Sequence, residues 1–363
     1  MNQEILEVSS TLSPATFFGP VPVFDLSGAA AAQTVIAAGN ESYQGHPTTA
    51  LLSDGRTVIC VWTIGHGGPC GPMKKSANRG RTWSKLLPVP AEWSKFVNCP
   101  CIWRRPAIGM PDRLVVYVQE EITRKMFCSV SEDGGDNWGE MTSCGVVSVM
   151  PWTAIVPISG GRLLGLTNAR RSGDATSRSN VIIRSYSADN GITWDEPAVV
   201  ADLPGIKLCE PWIIASPDGD EMACLLRLNN REYNSMVIFS RNEGESWTKP
   251  VQVHAAITGD RHIVRYLPDG RLLAVFRDVA SASPTSSHFC GWIGSYDDLK
   301  TSGTGQVRLK LLHHHAEPRN YDCGYPGLEI FSDGTALATT YLKYRAEDRH
   351  NSVVCIRFNP AEF

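Results

Sequence analysis

The octet Ser187-Ala-Asp189-Asn-Gly191-Ile-Thr-Trp194 contains the pattern from which the fold can be predicted. In such a stretch the Asp side chain can bind the backbone amides that follow it, the Gly can take a positive φ, and the Trp can fold back as an apolar plug. The pattern Ser-x-Asp/Asn-x-Gly-x-x-Trp also occurs at 76–83, 131–138 and 240–247, with a degenerate copy at 295–299 that has lost its Gly and Trp. We assign these boxes a structural role and no chemistry.

The spacing of the boxes predicts a repeated unit. Their first serines are 55, 56, 53 and 55 residues apart, and a repeat of this length fits one four-stranded blade. A second turn recurs out of phase at 53–56, 111–113, 159–162, 217–219, 268–271 and 332–335, mostly as Asp-Gly between apolar runs, which is a strong hairpin signal. We therefore predict an all-β chain, a six-bladed β-propeller of four-stranded antiparallel blades, with residues 1–363 as one domain.

The two ends of the chain are expected to share a blade. The first apolar segment, Pro20-Val-Pro-Val-Phe24, lies about one repeat before the first box, and Ser352-Val-Val-Cys-Ile-Arg-Phe358 lies one repeat after the fifth. Pairing of these N- and C-terminal strands would close the ring and leave no unpaired sheet edge.

Composition excludes several classes of function. The formal charge is −3, from 34 basic and 37 acidic residues, which argues against a nucleic-acid partner. The sequence contains no run of 18 apolar residues, so no membrane span is predicted. The sequence as given has no export signal, so a cytoplasmic location is expected, although a chain whose signal had been removed would read the same. The 11 cysteines, mostly in apolar runs, are expected to be reduced and buried.

No cofactor or metal is predicted. Cys99-Pro100-Cys101 and His313-His314-His315 lack partners at zinc-ligand spacing, and no glycine-rich phosphate loop leads from a strand into a helix. Because the net charge is small, the expected partner is a small or neutral molecule.

Equivalent positions on the inner strands of a propeller converge on its axis. Counting eight residues back from the Asp of the second turn, or its equivalent, gives His46, Arg104, Trp152, Glu210, Arg261 and Tyr325. Positions on the returning strands are Trp62, Glu120, Asn168, Arg227, Arg277 and Tyr341. None of the first six is aliphatic, although their neighbours are rich in Ile, Val, Leu and Ala. Such a polar ring indicates a site, and the alternative is that these groups only satisfy one another around the axis.

The boxes at 131–138 and 187–194 resemble the Asp boxes of the sialidase (neuraminidase) superfamily, whose members are six-bladed propellers. Gly324-Tyr325-Pro326-Gly327-Leu328-Glu329 is similar to the segment that carries the family's nucleophilic tyrosine, and Cys209-Glu210-Pro211-Trp212 to the segment with its partner glutamate. The resemblance implies those roles for Tyr325 and Glu210. It also implies carboxylate-binding roles for Arg227 and Arg261.

The chain departs from the family pattern at two points. The first carboxylate-binding arginine is replaced by His46 in Gly45-His46-Pro47, and Arg104, Arg105, Arg170 and Arg277 are candidates to take its place. The loop Thr63-Ile-Gly-His66-Gly-Gly-Pro-Cys-Gly-Pro72 has no carboxylate where the family carries its acid/base aspartate. His66 is the candidate acid there, since histidine exchanges protons near neutral pH. A turn histidine without chemistry is the alternative.

Aromatic residues near the ring could stack on a sugar. Trp62, Trp152 and Tyr341 are the candidates that we assign to substrate binding, with Trp212 as a further one, and burial in the core is the simpler alternative for the tryptophans.

The resemblance implies a retaining exo-glycosidase that releases a terminal sialic acid or a related acidic sugar. A phenol activated by a carboxylate suits a sugar whose anomeric carbon bears a carboxylate, because it approaches without a full negative charge. Two alternatives stay open: an exo-glycosidase for a different, neutral or uronic sugar, and a non-catalytic carbohydrate-binding propeller. In each case the partner is a small-molecule carbohydrate.

Overall fold

The computed structural model describes residue 19 and residues 21–105, 112–173, 179–317 and 319–363. Pro20 and Pro111 of the segments quoted above lie outside the described residues. The described strands are β1 (Val23–Asp25), β2 (Gln33–Ala37), β3 (Gln44–Leu51), β4 (Val58–Ile64), β5 (Cys70–Ser76), β6 (Phe96–Arg105), β7 (Arg113–Glu120), β8 (Lys125–Ser131), β9 (Thr142–Val147), β10 (Ala154–Pro157), β11 (Leu163–Arg170), β12 (Asn180–Ser187), β13 (Ala198–Asp202), β14 (Leu208–Ala215), β15 (Met222–Leu228), β16 (Met236–Ser240), β17 (Val251–Gln252), β18 (Gly259–Tyr266), β19 (Leu272–Asp278), β20 (Phe289–Gly294), β21 (Val307–Leu312), β22 (Gly324–Ile330), β23 (Ala336–Leu342) and β24 (Ser352–Phe358).

Helical structure is confined to short segments in the described residues. One α-helix, α1, spans Tyr296–Thr301. The 3-10 turns are Ala30–Ala32, Ala91–Lys95, Ser159–Gly161, Ala255–Ile257 and Pro360–Glu362. No helix in the described ranges is long and apolar enough to span a bilayer.

The strands form six sheets, and the prediction of an all-β, six-bladed propeller is confirmed. In the described part of the chain the sheet orders are β3-β4-β5, β6-β7-β8-β9, β10-β11-β12-β13, β14-β15-β16-β17, β1-β21-β20-β19-β18 and β2-β24-β23-β22. Each blade begins at an inner strand, and inner strands of neighbouring blades lie against each other, as β22 does against β3 and β3 against β6. Apolar side chains fill the space between blades, as Trp212 and Trp292 do, both at most 5% exposed.

The last blade combines strands from both ends of the chain, but its N-terminal strand is not the expected one. β2 pairs antiparallel with β24 through Val35 and Val354. The segment expected in that role contains β1, which instead runs parallel to β21 in the fifth blade, Val23 opposite Arg308. The residue that anchors the closing strand in the core is Ile36, which is 1% exposed. The prediction was based on counting repeats, which pointed to the first apolar run and overlooked β2.

The Asp boxes have the structural role that the sequence predicted. In the third blade the Ser187 hydroxyl donates to Asp189 Oδ1 at 2.8 Å and accepts from the amide of Gly191 at 2.8 Å. Asp189 Oδ1 accepts from the amide of Thr193 at 3.0 Å, and the Trp194 indole donates to the Gly191 carbonyl at 3.1 Å. The degenerate fifth copy forms α1, which Ser295 and Asp298 cap reciprocally.

Candidate functional site

A strained residue interrupts the inner strand of five blades in the described ranges. These residues are non-glycine and have φ between 48° and 69°, each at a shift of strand register: His46, Asn98, Glu210, Arg261 and Tyr325. A bulge bends a strand and re-aims a side chain, and strain of this kind concentrates at functional sites. The spacing rule therefore located four of the five bulge residues from the sequence.

The structure corrects the position predicted for the second blade. Arg104 lies at the far end of β6, opposite Leu114, and its Nη1 donates to Asp112 Oδ1 at 3.1 Å. The bulge residue of this blade is Asn98, fourteen rather than eight residues before Asp112. Because the strand and its connection are longer here, counting back from the turn reaches the wrong residue. Arg104 is not brought to the site.

Two of the tryptophans predicted to bind a sugar are core residues. Trp62 is 1% exposed and its indole donates to Gln44 Oε1 at 2.7 Å. Trp152 is fully buried against Trp194, with ring centroids 4.5 Å apart. Val149 and Met150, which precede Trp152, are the residues of this segment that line the cavity described next.

A cavity of about 600 Å³ opens on the axis. It brings together six of the residues predicted for the ring and its loop: Tyr325, Glu210, Arg227, Arg277, Asn168 and His66. A space of this size is within the usual range for a small-molecule site. Within the described ranges, no cluster of His, Cys, Asp and Glu is arranged to hold a metal ion.

Tyr325 and Glu210 form a direct pair at this cavity. The Tyr325 hydroxyl donates to Glu210 Oε1, and Arg227 Nη1 donates to Glu210 Oε2 at 2.8 Å and lies 3.4 Å from the tyrosine oxygen. All three side chains are at most 9% exposed. Glu210 and Arg227 lie on adjacent strands of the fourth blade and Tyr325 on the inner strand of the sixth, so the fold joins two blades at this point.

The charges around the pair keep the carboxylate ionised and the phenol protonated. Burial opposes ionisation of Glu210, but the Arg227 and Arg261 guanidiniums outweigh it and hold the pKa of Glu210 below its ordinary value. Burial, followed by the adjacent Glu210 carboxylate, raises the pKa of Tyr325 well above that of a free phenol. The resting site thus holds a neutral phenol beside an anionic base.

Arg261 supports this pair from underneath. It is 3% exposed, its Cζ lies 5.6 Å from the centroid of the Tyr325 ring, and its Nη2 donates to Cys101 Sγ at 3.4 Å. It does not line the cavity. The predicted role in binding a substrate carboxylate therefore does not fit its position, whereas its charge does act on Glu210.

Asp260 is a site residue that sequence reasoning missed. It is fully buried, and its two oxygens join arginines from neighbouring blades: Oδ1 lies 2.8 Å from Arg227 Nε, and Oδ2 lies 2.7 Å from Arg277 Nη2. Arg231 Nη2 also lies 2.8 Å from Oδ2. Burial opposes ionisation, but these arginines hold the pKa of Asp260 well below its ordinary value. The sequence signals were its place beside Arg261 in the bulged strand and its position opposite Arg277 on the returning strand.

All three guanidinium nitrogens of Arg277 donate hydrogen bonds. Its Nε and Nη2 both donate to Asp260 Oδ2, at 3.0 and 2.7 Å. Its Nη1 donates to the backbone carbonyls of Tyr321 and Cys323, in the segment that leads into Tyr325. Arg277 therefore positions the backbone segment that precedes Tyr325.

His66 has a carboxylate partner from another blade. Its Nδ1 lies 3.1 Å from Asp322 Oδ1, which also accepts from the hydroxyls of Tyr43 at 2.7 Å and Tyr341 at 3.2 Å. Asp322 is three residues before Tyr325, and both His66 and Asp322 line the cavity. The carboxylate absent from the first-blade loop is thus supplied by the segment that leads into β22 of the neighbouring sixth blade, so the sequence of that loop alone does not reveal it.

The chemistry of this cluster is that of an orienting carboxylate. Burial opposes ionisation of Asp322, but hydrogen bonds from His66 and Tyr43 lower its pKa to about 2. Among the described residues the hydrogen bonds of His66 involve Nδ1 only, so Nε2 is the nitrogen available to a ligand. Tyr341 is fully buried and belongs to this support rather than to a sugar-stacking surface.

His46 does not replace the missing arginine as a cation. It is 1% exposed, and burial, followed by the neighbouring His66, lowers its pKa well below the ordinary value. Its ring packs edge-on to the rings of Tyr325 and His66, with centroids 4.6 and 4.7 Å away. His46 is therefore a neutral spacer between the tyrosine and the second histidine.

Solved structures with this architecture include sialidases. A protein of unknown function from Dyadobacter fermentans DSM 18053 is 16% identical, with a TM-score of 0.69, covering 90% of this chain and 98% of its own. The Hadza microbial sialidase Hz136 is 14% identical, with a TM-score of 0.62, over 88% of this chain and 66% of its own. The intramolecular trans-sialidase from Ruminococcus gnavus, in complex with oseltamivir carboxylate, is 15% identical, with a TM-score of 0.58, over 91% and 98%. At these identities the likeness shows the fold alone.

The fold and the boxes define a six-bladed propeller built from BNR-like repeats. A family model, the BNR repeat-like domain, matches residues 31–222, more than half of the 363 residues. The chain belongs to the BNR repeat-like domain family. A search of curated proteins found no match.

Proposed function

We propose that the protein is a retaining exo-glycosidase with Tyr325 as its nucleophile. The observation that carries this proposal is the hydrogen bond from the Tyr325 hydroxyl to Glu210 at the cavity. A free phenol is a weak nucleophile at neutral pH, and an adjacent base in hydrogen-bond contact is the arrangement that activates it. The likeness to glycosidases in fold supports the same reaction class without assigning it.

In the first step the tyrosine oxygen bonds to the anomeric carbon of a terminal sugar, and its proton passes to Glu210. The bond from that carbon to the aglycone oxygen breaks, and the oxygen takes a proton from His66. Arg227 and Arg261 favour the phenolate as charge develops on the tyrosine.

In the second step water bonds to the same carbon and gives one proton to His66. The tyrosine oxygen leaves and recovers its proton from Glu210. The sum is glycoside plus water giving free sugar plus aglycone, and two displacements at one carbon retain its configuration. An acidic sugar and a different sugar would both follow this route.

The test is Tyr325→Phe on an aryl glycoside that the unaltered chain turns over. We expect kcat to fall by at least about 1,000-fold, since a nucleophile acts as a unit with its base. Proton NMR of the unaltered chain should show the retained anomer first. A fluorinated sugar should add its mass to the peptide that contains Tyr325.

The matched control is Tyr117→Phe. Tyr117 is a fully buried tyrosine whose hydroxyl donates to the Gly191 carbonyl at 2.7 Å, outside the cavity lining. Its loss should lower stability and leave kcat unchanged. Normal turnover by Tyr325→Phe, or inversion at the anomeric carbon, would remove the nucleophile assignment. Sugar binding without hydrolysis over days would assign the chain to the non-catalytic class instead.

A further inference from the structure

The position expected to bind a substrate carboxylate already contains one. Asp260 contacts Arg227 through one oxygen and Arg277 through the other, at 2.8 and 2.7 Å. The Asp260 carboxylate thus occupies the space between the two guanidiniums, where a carboxylate ligand would otherwise form its charge-assisted contacts. Both arginines are at most 6% exposed, and Asp260 is fully buried.

Little donor capacity is left over for a second carboxylate. Arg227 uses Nη1 on Glu210 and Nη2 on Asn229 Oδ1, at 2.8 and 2.7 Å. Arg277 uses its remaining nitrogen on two backbone carbonyls. A substrate carboxylate at this position would therefore have to break a buried ion pair and would be repelled by Asp260 itself.

The family's first carboxylate-binding arginine is also absent. His46 stands at the corresponding place, is 1% exposed and packs against Tyr325 and His66. A neutral imidazole there offers no charge to a carboxylate, so two independent changes act in the same direction.

Besides Arg227 and Arg277, the cavity lining contains Arg231, whose Nη2 lies 2.8 Å from Asp260 Oδ2, the exposed Arg319, and a set of amides. Four asparagines line it: Asn168, Asn180, Asn229 and Asn320. Asn168 is fully buried, and its Oδ1 accepts from the amide of Glu210 at 3.2 Å. Its Nδ2 has no hydrogen-bond partner among the described residues. A buried donor without a protein partner can donate to a ligand oxygen placed in the cavity.

We infer that the cavity binds a sugar without a carboxylate on its anomeric carbon, recognised through hydroxyl groups by the asparagine amides, with Asp260 as the internal counter-ion of Arg227 and Arg277. This inference rests on the proposed function for the reaction, but it concerns binding and can be tested apart from turnover. It selects the different sugar over the sialic acid that the resemblance implies.

The first experiment is a substrate screen with the unaltered chain. The substrates are aryl glycosides of neutral sugars, of uronic acids and of sialic acid. We expect the chain to hydrolyse at least one glycoside of the first two groups and not to hydrolyse the sialoside. Turnover of the sialoside at a comparable rate would overturn the inference and leave the exo-glycosidase proposal standing.

The second experiment measures binding by calorimetry, so that it does not depend on activity. The probe is a dehydrated sialic acid analogue, titrated into the unaltered chain and into Asp260→Asn and Asp260→Ala. We expect no binding at millimolar concentration to the unaltered chain, and at least about tenfold tighter binding when the aspartate charge is removed.

The outcomes separate the two proposals. Submillimolar binding of the analogue by the unaltered chain would overturn the inference even if no substrate is found. Should both variants fail to fold, the result with the unaltered chain still decides. Asn168→Ala should weaken binding of the accepted sugar, measured in the Tyr325→Phe background, by about tenfold or more. Unchanged affinity would remove the amide part of the inference.

Discussion

Substitution of His66 or Asp322 should lower kcat/KM, and the loss should be larger when the aglycone is a poorer leaving group. His66→Asn removes the group that we place beside the leaving oxygen, and a general acid contributes about 10²–10⁴-fold. An aglycone that leaves readily as an anion needs no such proton. We therefore expect that loss with an alkyl or phenyl glycoside and a loss of less than about tenfold with the dinitrophenyl glycoside of the same sugar.

Asp322→Asn should give an intermediate loss. The carboxylate holds His66 through one contact of 3.1 Å, and a hydrogen bond to a charged group contributes about 1.5–3 kcal/mol, or about 10–100-fold in rate. The His66 side chain is 66% exposed, so screening by water places the effect near the lower limit. Tyr43→Phe removes a different ligand of the same carboxylate and keeps its charge, so a change of only a few-fold is expected.

The assay compares kcat/KM on the two glycosides for each variant, with thermal melting to confirm folding. Equal losses on both glycosides would show that His66 binds or shapes the site and does not transfer the proton. A larger loss in Asp322→Asn than in His66→Asn would show that the carboxylate acts by itself, and the assignment of the acid would move to Asp322.

Two further predictions concern stability. Burial lowers the pKa of His262 to about 4, and also lowers that of His314 to about 4 and of His288 to about 3. Because the unfolded chain takes up these protons near pH 6.5, stability should be full above that pH and fall by up to about 1.4 kcal/mol per histidine per pH unit down to about pH 4. Melting curves should show this slope and a shallower one for His262→Gln; a flat profile contradicts it. Asp189→Ala should lower the free energy of unfolding by about 1–3 kcal/mol in urea titrations, since it strips the Asp box of its acceptor. Asp189→Asn should be nearly neutral, because Asn78 and Asn242 occupy this position in other boxes; an equal loss in both variants would show that the charge, not the acceptor, stabilises the turn.

The architecture was predictable because it is repeated. Each box is a local turn whose residues satisfy one another within eight positions, as Ser187 and Asp189 do, so the pattern is visible without tertiary contacts. Tyr325 and Glu210 were found for the same reason, since a fixed spacing from a hairpin turn locates a bulge on the strand before it. Where a blade departs from the repeat, as at Asn98, the rule failed.

The remaining parts of the site depend on distance in space. Asp322 lies 256 residues from His66, and the two meet only because the ring closes between the sixth blade and the first. Asp260 and Arg277 are partners on adjacent strands of the fifth blade, whereas the contact of Asp260 with Arg227 joins two neighbouring blades and has no sequence spacing that predicts it.

The order of turns and apolar runs by itself determined the number of blades, the structural role of the boxes and the tyrosine with its glutamate, since these depend on contacts within one repeat or on equivalent places in several. Which charges face one another at the axis depends on how the blades pack. Electrostatic interactions act across short distances regardless of chain separation, so the contact of Asp260 with Arg227 requires the fourth blade to pack against the fifth, and that of His66 with Asp322 requires the ring to close.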